Sequence, residues 1–179
     1  MPFELRPYPN ETLKPEGEYL QNAWKNGVYP TAERFGVKME LPRVSPQPHT
    51  HLAFEGFQYA KEHGKANEYN HRVMAAFFQE SRDIGNVEVL ASLAGDVGLD
   101  VEEFRQALVN RSYKDAHQRL LRHAYEEARI TAVPTFVIGD RALPGLYGKE
   151  TLERVIAEAM QKQGDIPADG MACGIDGCD

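Results

Sequence analysis

Val133-Pro134-Thr135-Phe136-Val137-Ile138-Gly139 is the stretch on which the reading of this chain turns. Thr135–Ile138 are β-branched or aromatic in succession, a composition that fits a pleated, half-buried strand. Pro134 has no N–H to give a ladder and so suits the strand's entrance. Gly139-Asp140 can turn the chain, and Arg141–Pro144 can return as the partner strand. Beyond Gly145 and Gly148, Leu152, Val155, Ile156, Ala159 and Met160 recur at i, i+3, i+4, i+7 and i+8, which predicts an amphipathic helix. The end of the chain therefore reads as hairpin followed by helix.

Upstream of residue 130 the period changes from two to 3.6. Leu52, Ala53, Phe57 and Ala60 mark one helix that stops at Gly64, and Val73, Met74, Phe77 and Phe78 mark the next. Val87–Val97 forms a third, with Gly98 as the residue after its C-cap. Asp100 with Glu103 has the capping-box spacing and opens a fourth helix over Val101–Val109. A long helix is expected from Tyr113 to Ala128. Before this block, Glu18 to about Arg34 reads as helical, with Gly27 and Pro30 breaking or ending its first part. Pro42, Pro46 and Pro48 then make a loop. At the start, Phe3 and Leu5 alternate with Glu4 and Arg6, which predicts a short strand over Pro2–Arg6 that Pro7 and Pro9 stop.

Charge and composition narrow the function. Twenty Lys and Arg stand against twenty-seven Asp and Glu, a net charge of −7, the wrong sign for a chain that neutralises phosphates. No apolar run reaches the roughly 20 residues of a membrane span, and the N-terminus lacks the basic and apolar regions of a secretory signal. Two cysteines without an export signal point to the cytoplasm rather than to a disulfide framework. No nucleic-acid or membrane partner is expected, and no cofactor is implied. No Gly-x-Ser-x-Gly elbow supports hydrolase chemistry.

Phe3-Glu4-Leu5-Arg6-Pro7, the helical block, Val133–Ile138 with Gly145, and the final amphipathic helix together resemble the DsbA family, and within it the FrnE-like branch. The resemblance runs from residue 2 to about 162. It implies an α/β, thioredoxin-like fold carrying a large all-helical insertion. Residues 1–41 and 130–162 would form a partial thioredoxin-like domain, 42–129 the helical insertion, and 163–179 a flexible acidic tail. It also implies a protein thiol–disulfide oxidoreductase, whose partners are protein or peptide thiols and disulfides. Val133 and Pro134 would be its cis-proline loop, and Val133, Pro134 and Thr135 would hold an extended substrate by its backbone. Family members carry a strand and a Cys-x-x-Cys pair roughly 30 residues before the Phe-Glu-Leu strand. This sequence contains no Cys-x-x-Cys, and by the resemblance its N-terminal central strand is expected to be missing. The expectation is a truncated start at Met1. The competing one is a degenerate member that repairs its sheet as a homodimer. The related kappa-class glutathione transferases and hydroxychromene-carboxylate isomerases supply an alternative, a glutathione-linked activity. A non-catalytic peptide-binding module is a third.

Several candidate sites follow from residue type and spacing. Cys173 and Cys178 are separated by four residues, two of them glycine, so their sulfurs can reach the geometry a disulfide needs. By resemblance they are an auxiliary redox pair, although Asp169, Asp176 and Asp179 disfavour a thiolate there. His49, His51 and Glu55 have ligand-like spacing, but they read better as a polar helix entry capped by Thr50, with surface histidines and a solvated carboxylate, and no metal is assigned. The other histidines, His117 among them, read as surface or packing residues. Gly145-Leu146-Tyr147-Gly148 reads as a turn opening a helix rather than an anion site. Phe54, Phe57, Tyr59, Phe77 and Phe78 read mainly as core, with one or two left for a groove. The basic residues of Arg111–Arg129 read as a solvated face.

Overall fold

The computed structural model describes residues 1–164. The chain divides into two compact units, Met1–Ala128 and Arg129–Asp179. The first is helical: α1 (Glu18–Ala23), α2 (Tyr29–Arg34), α3 (His51–Glu62), α4 (Ala66–Phe78), α5 (Val87–Asp96), α6 (Val101–Val109) and α7 (Lys114–Arg122). The second contains β1 (Thr135–Ile138), β2 (Arg141–Pro144) and α8 (Lys149–Gly164).

Helices α3 to α6 surround the core of the first unit. Tyr69, Leu90, Leu93, Phe104 and Leu108 are almost completely withdrawn from solvent there. The caps predicted at Asp100 and Gly98 form, and Asn86, which the sequence reading does not single out, caps α5. The Asn86 side chain accepts from the amides of Glu88 and Val89 at 2.8 and 3.3 Å, and the Asp100 carboxylate accepts from the Glu103 amide at 2.8 Å. Helix α5 ends in a Schellman motif: Leu99 donates to the Ala94 carbonyl, Gly98 donates to Gly95, and Gly98 sits at φ +83°.

Three expectations from the sequence are corrected. Pro2–Arg6 is not a strand. Its alternation survives with the opposite sense, because Glu4 is buried while Leu5 is 78% exposed. Among the described residues no strand lies alongside it, and its polar groups are taken by side chains: the Tyr125 hydroxyl donates to the Glu4 carbonyl, and His117 meets the Glu4 carboxylate. Second, Gly27 and Pro30 do not interrupt the early helix. A π-turn over Trp24–Val28, closed by the Tyr29 amide on the Trp24 carbonyl, widens the turn just before Pro30 and absorbs the misfit between the proline ring and the carbonyl four residues back. Third, the predicted Tyr113–Ala128 helix is α7 followed by another π-turn over His123–Glu127, closed by Ala128 N–H on His123 O at 2.8 Å.

In the second unit, β1 and β2 pair antiparallel with Thr135 opposite Pro144 and Ile138 opposite Arg141. Helix α8 packs on β1, and the Cα of Gly139 comes close enough that an added Cβ would touch the Ala159 methyl at 3.4 Å. Of the apolar stripe on α8, Val155 is buried, whereas Ile156 and Met160 are 45% and 67% exposed. Arg141 on β2 bridges to Glu158 on α8 at 2.6 Å.

One close approach controls the packing of α3. A Cβ built on Gly56 would lie 2.4 Å from the Tyr69 hydroxyl oxygen and 2.6 Å from the Phe104 ring. Both neighbours are fully buried and have nowhere to move. Gly56→Ala should gain up to about 1 kcal/mol of helix propensity and still lose net stability by roughly 1–2 kcal/mol through overpacking. Urea unfolding of the variant measures the sign directly.

Candidate functional site

The bend that leads into β1 lies within Thr131–Pro134. The Val133–Pro134 peptide is cis, and the Thr135 hydroxyl donates to the Ala132 carbonyl at 2.6 Å. Gly145 N–H donates to Pro134 O at 2.8 Å, which extends the β1–β2 ladder by one bonded pair. Antiparallel pairs alternate between bonded and non-bonded. Pro134, Phe136 and Ile138 therefore direct their main-chain groups toward β2, while those of Val133, Thr135 and Val137 point to the opposite edge. Among the described residues that edge has no partner strand. Val133 and Val137 are 46% and 51% exposed.

The helical unit contains a second polar feature, which is buried. Glu55 on α3 is 1% exposed and receives two hydrogen bonds from Arg111, Nε at 2.8 Å and Nη2 at 2.6 Å. Arg111 follows α6 at φ +54°, in the left-handed position that ends a Schellman motif, where its neighbour Ser112 donates to the Ala107 carbonyl. This conformation costs a residue with a Cβ about 1 kcal/mol, and here it aims the guanidinium at Glu55. Next to this pair, His117 Nε2 lies 2.6 Å from Glu4 Oε1, with both side chains buried, and the Phe54 ring stacks on the imidazole at 5.3 Å. His51 shares this environment. Burial and the Arg111 charge push its imidazole below the ordinary value, with Glu4 and Glu55 pulling the other way. The same unit encloses an apolar cavity of about 500 Å³, lined by Phe54, Phe57, Met74, Phe77 and Leu120, with Lys61 among its polar residues.

Residues 2–157 match the family of DSBA-like thioredoxin domains. The chain belongs to the DsbA-like thioredoxin family. It is 50% identical over 164 residues to the uncharacterized protein YwbO of Bacillus subtilis (strain 168), which covers 91% of this chain and 82% of that protein. It also resembles the crystal structure of a probable DsbA oxidoreductase, SCO1869, from Streptomyces coelicolor, with a TM-score of 0.72 at 22% identity over 91% of this chain and 70% of that one. The α/β, thioredoxin-like reading of the sequence, with its helical block, accords with this family.

In this DsbA-like chain Val133, Pro134 and Thr135 stand together at the entrance to β1. Cys173 and Cys178 lie outside the described residues, as does the acidic tail that carries them. His49 and His51 do not join Glu55 as a ligand set. Their rings pack against Tyr8 at 5.3 and 5.6 Å, His49 Nε2 lies 2.9 Å from the Asn10 carbonyl, and Glu55 is taken by Arg111. The expectation of a solvated Glu55 is thus overturned, as is the solvated face assigned to Arg111. Thr50 occupies the N-cap of α3 without a side-chain cap bond. Gly148 accepts from the amides of Thr151 and Leu152 and so opens α8, as the turn reading has it. Of the five aromatics, Tyr59 is core, whereas Phe54, Phe57, Phe77 and Phe78 all line the cavity. Sequence reasoning missed the Glu4–His117 and Glu55–Arg111 pairs. The Phe-Glu-Leu alternation and a helix-facing glutamate gave no sign that the carboxylates point inward.

Two outcomes follow for this network. Arg111→Gly relieves the left-handed backbone but strands a buried carboxylate. Breaking such a pair costs about 3 kcal/mol or more, so the variant should be less stable than wild type by roughly 2 kcal/mol in urea, with Glu55→Gln in the same background restoring part of the loss. His51 makes stability depend on pH in a definite direction. Its folded value lies below the ordinary 6.5, so as pH falls through 6.5 the unfolded chain takes up the proton first and stability drops. His51→Gln should flatten that part of a plot of urea midpoint against pH, and an unchanged slope would assign the acid sensitivity elsewhere.

Proposed function

We propose that this chain is a protein thiol–disulfide oxidoreductase acting on extended polypeptide segments. Val133, Pro134 and Thr135 hold the segment, and Cys173 and Cys178 form the sulfur pair. The carrying observation is the edge at the entrance to β1, which has no partner among the described residues, in a chain whose family is that of the DsbA-like thioredoxin domains. A segment lying antiparallel along that edge can exchange main-chain hydrogen bonds with Val133 and Thr135 irrespective of its side chains, which suits an enzyme that handles many proteins. The FrnE-like placement belongs to this reading, because the Cys-x4-Cys tail is the feature shared with that branch.

In the reductive direction, one of the two thiolates attacks a sulfur of the substrate disulfide. A protein–substrate S–S bond forms as the substrate S–S bond breaks, and the released sulfur leaves as a thiolate that takes a proton from water. The second cysteine then attacks the mixed disulfide. This frees the substrate as a dithiol and leaves Cys173–Cys178 oxidised, two electrons having passed to the substrate. A dithiol or two molecules of glutathione reduce the pair again, in keeping with a cytoplasmic setting. The neighbouring Asp169, Asp176 and Asp179 disfavour the thiolate, so the pair is a slow nucleophile at neutral pH.

Insulin reduction with dithiothreitol as reductant tests the reading. Wild type should speed precipitation of the insulin B chain, and Cys173→Ser and Cys178→Ser should each fall to the rate of dithiothreitol alone. Absence of any acceleration by wild type removes the redox reading and leaves a peptide-binding module. A thermal shift with glutathione, absent with its S-methyl derivative, would favour the glutathione-linked alternative.

A further inference from the structure

We propose that Asn26 is a modification site, which loses its side-chain amide by cyclising onto the main-chain nitrogen of Gly27 and opens with water to aspartate and isoaspartate. This goes beyond the redox reading and does not depend on it.

The first argument is the residue pair. The ring closes when the Gly27 main-chain nitrogen, its proton taken by base, attacks Cγ of Asn26. A side chain on the following residue crowds that attack, and glycine has none. Asn26-Gly27 is the only Asn-Gly in the sequence, and each of the other six asparagines precedes a residue with a Cβ. Both residues are exposed, and a Cβ built on Gly27 would meet nothing within 4 Å. Water and base therefore reach this peptide freely.

The second argument is the helix around it. A regular helix resists cyclisation, because its hydrogen-bond ladder holds the nitrogen away from the side-chain carbonyl. Here the ladder is weak for three reasons. Asn26 and Gly27 lie inside the π-turn Trp24–Val28. Pro30 has no N–H, so the Asn26 carbonyl, four residues back, receives no helical bond from it. Glycine is itself a poor helix former. Local opening is easier here than in the regular turns on either side, and the open form brings the nitrogen onto Cγ. Asn22 is an internal comparison: it is equally exposed, lies in α1 one turn earlier, and is followed by Ala23.

The chemistry balances without any further reagent than water. A C–N bond forms, the Cγ–Nδ2 bond breaks and ammonia leaves, with nothing oxidised or reduced. Water then opens the imide. Cleavage between the nitrogen and Cγ gives aspartate, whereas cleavage at the Asn26 main-chain carbonyl gives isoaspartate, which inserts a methylene into the main chain. That insertion falls between Trp24 and Tyr29, whose rings meet edge to face at 5.4 Å. Trp24 is buried and also packs on Phe78 of α4, and the Tyr29 hydroxyl accepts from the Leu41 amide at 3.2 Å. Isoaspartate at residue 26 therefore loosens the seat of α1 and α2 on the rest of the helical unit.

The experiment is incubation of the folded full chain in warm, mildly alkaline buffer, followed by pepsin digestion at low pH and peptide mass mapping. The Asn26 peptide should gain the mass of an amide-to-acid exchange and split into two products, one of them a substrate for protein isoaspartyl methyltransferase. Asn22 should stay intact. Asn26→Gln and Gly27→Ala should stop the conversion. Pro30→Ala keeps the Asn-Gly pair but returns a donor to the Asn26 carbonyl, and it should slow the conversion. Trp24 is the sole tryptophan, so its emission should shift to longer wavelength in step with isoaspartate. Asn26 that stays intact in the folded chain while it converts in urea overturns the proposal. So does a Pro30→Ala variant that converts as fast as wild type, or Trp24 emission unmoved in a converted sample. Insulin reduction depends on Cys173 and Cys178, so the two proposals fail separately.

Discussion

Helix α3 buries a carboxylate, and the arrangement of the helical unit follows from how that charge is compensated. Glu55 has almost no contact with water, and an ionised carboxylate in such a place persists only when it is paired and fully hydrogen-bonded. Arg111 satisfies both requirements with a two-pronged contact. To do so it occupies the left-handed position after α6, which glycine would fill at no conformational cost. The neighbouring residue on α3, Gly56, lets the Tyr69 hydroxyl and the Phe104 ring approach the backbone within the radius of a methyl group. One helix turn thus fixes both the electrostatic and the steric contacts of α3 with α4 and α6. The same region receives Glu4 through His117, so the N-terminal segment is tied to α7 by polar groups rather than by a ladder.

The second unit is governed by a different constraint. Its two strands satisfy each other on one side only, and a two-stranded ribbon is marginal unless something packs on it. Helix α8 supplies one face through Val155 and Ala159, and the Arg141–Glu158 contact joins helix to hairpin at the surface. Nothing comparable covers the outward edge of β1 among the described residues. An edge of this kind recognises backbone before side chains.

The pattern of the sequence carried the hairpin, α3 to α6 and α8, because their periodicity and caps are local and act on neighbouring residues: Asp100 with Glu103, Gly98 with Gly95. It did not carry the π-turns. Those depend on how the helix relieves Pro30 and on the end of α7, and helical period is nearly the same with or without one widened turn. The burial of Glu4 and Glu55 was illegible for a different reason. A glutamate in a strand or helix is ordinarily solvated, and only the arrival of His117 and Arg111, each more than fifty residues away in sequence, reverses that expectation. The site was legible in part. Val133–Thr135 stood out as a bend before a strand, whereas the direction in which its main chain points became available only with the register of β1 on β2.

That register also decides what a partner can be. Of the main-chain groups that look outward from the strand, only those of Thr135 and Val137 lie within β1, with Val133 just before the proline. A peptide held at Val133 and Thr135 spans the bend before β1, with the Pro134 carbonyl turned to Gly145 on the other side. A strand held at Thr135 and Val137 stays within regular β geometry and uses a continuous ladder. The first mode suits a segment that arrives, reacts and leaves. The second suits a partner that stays. Both use Thr135, so one segment at a time can occupy this edge.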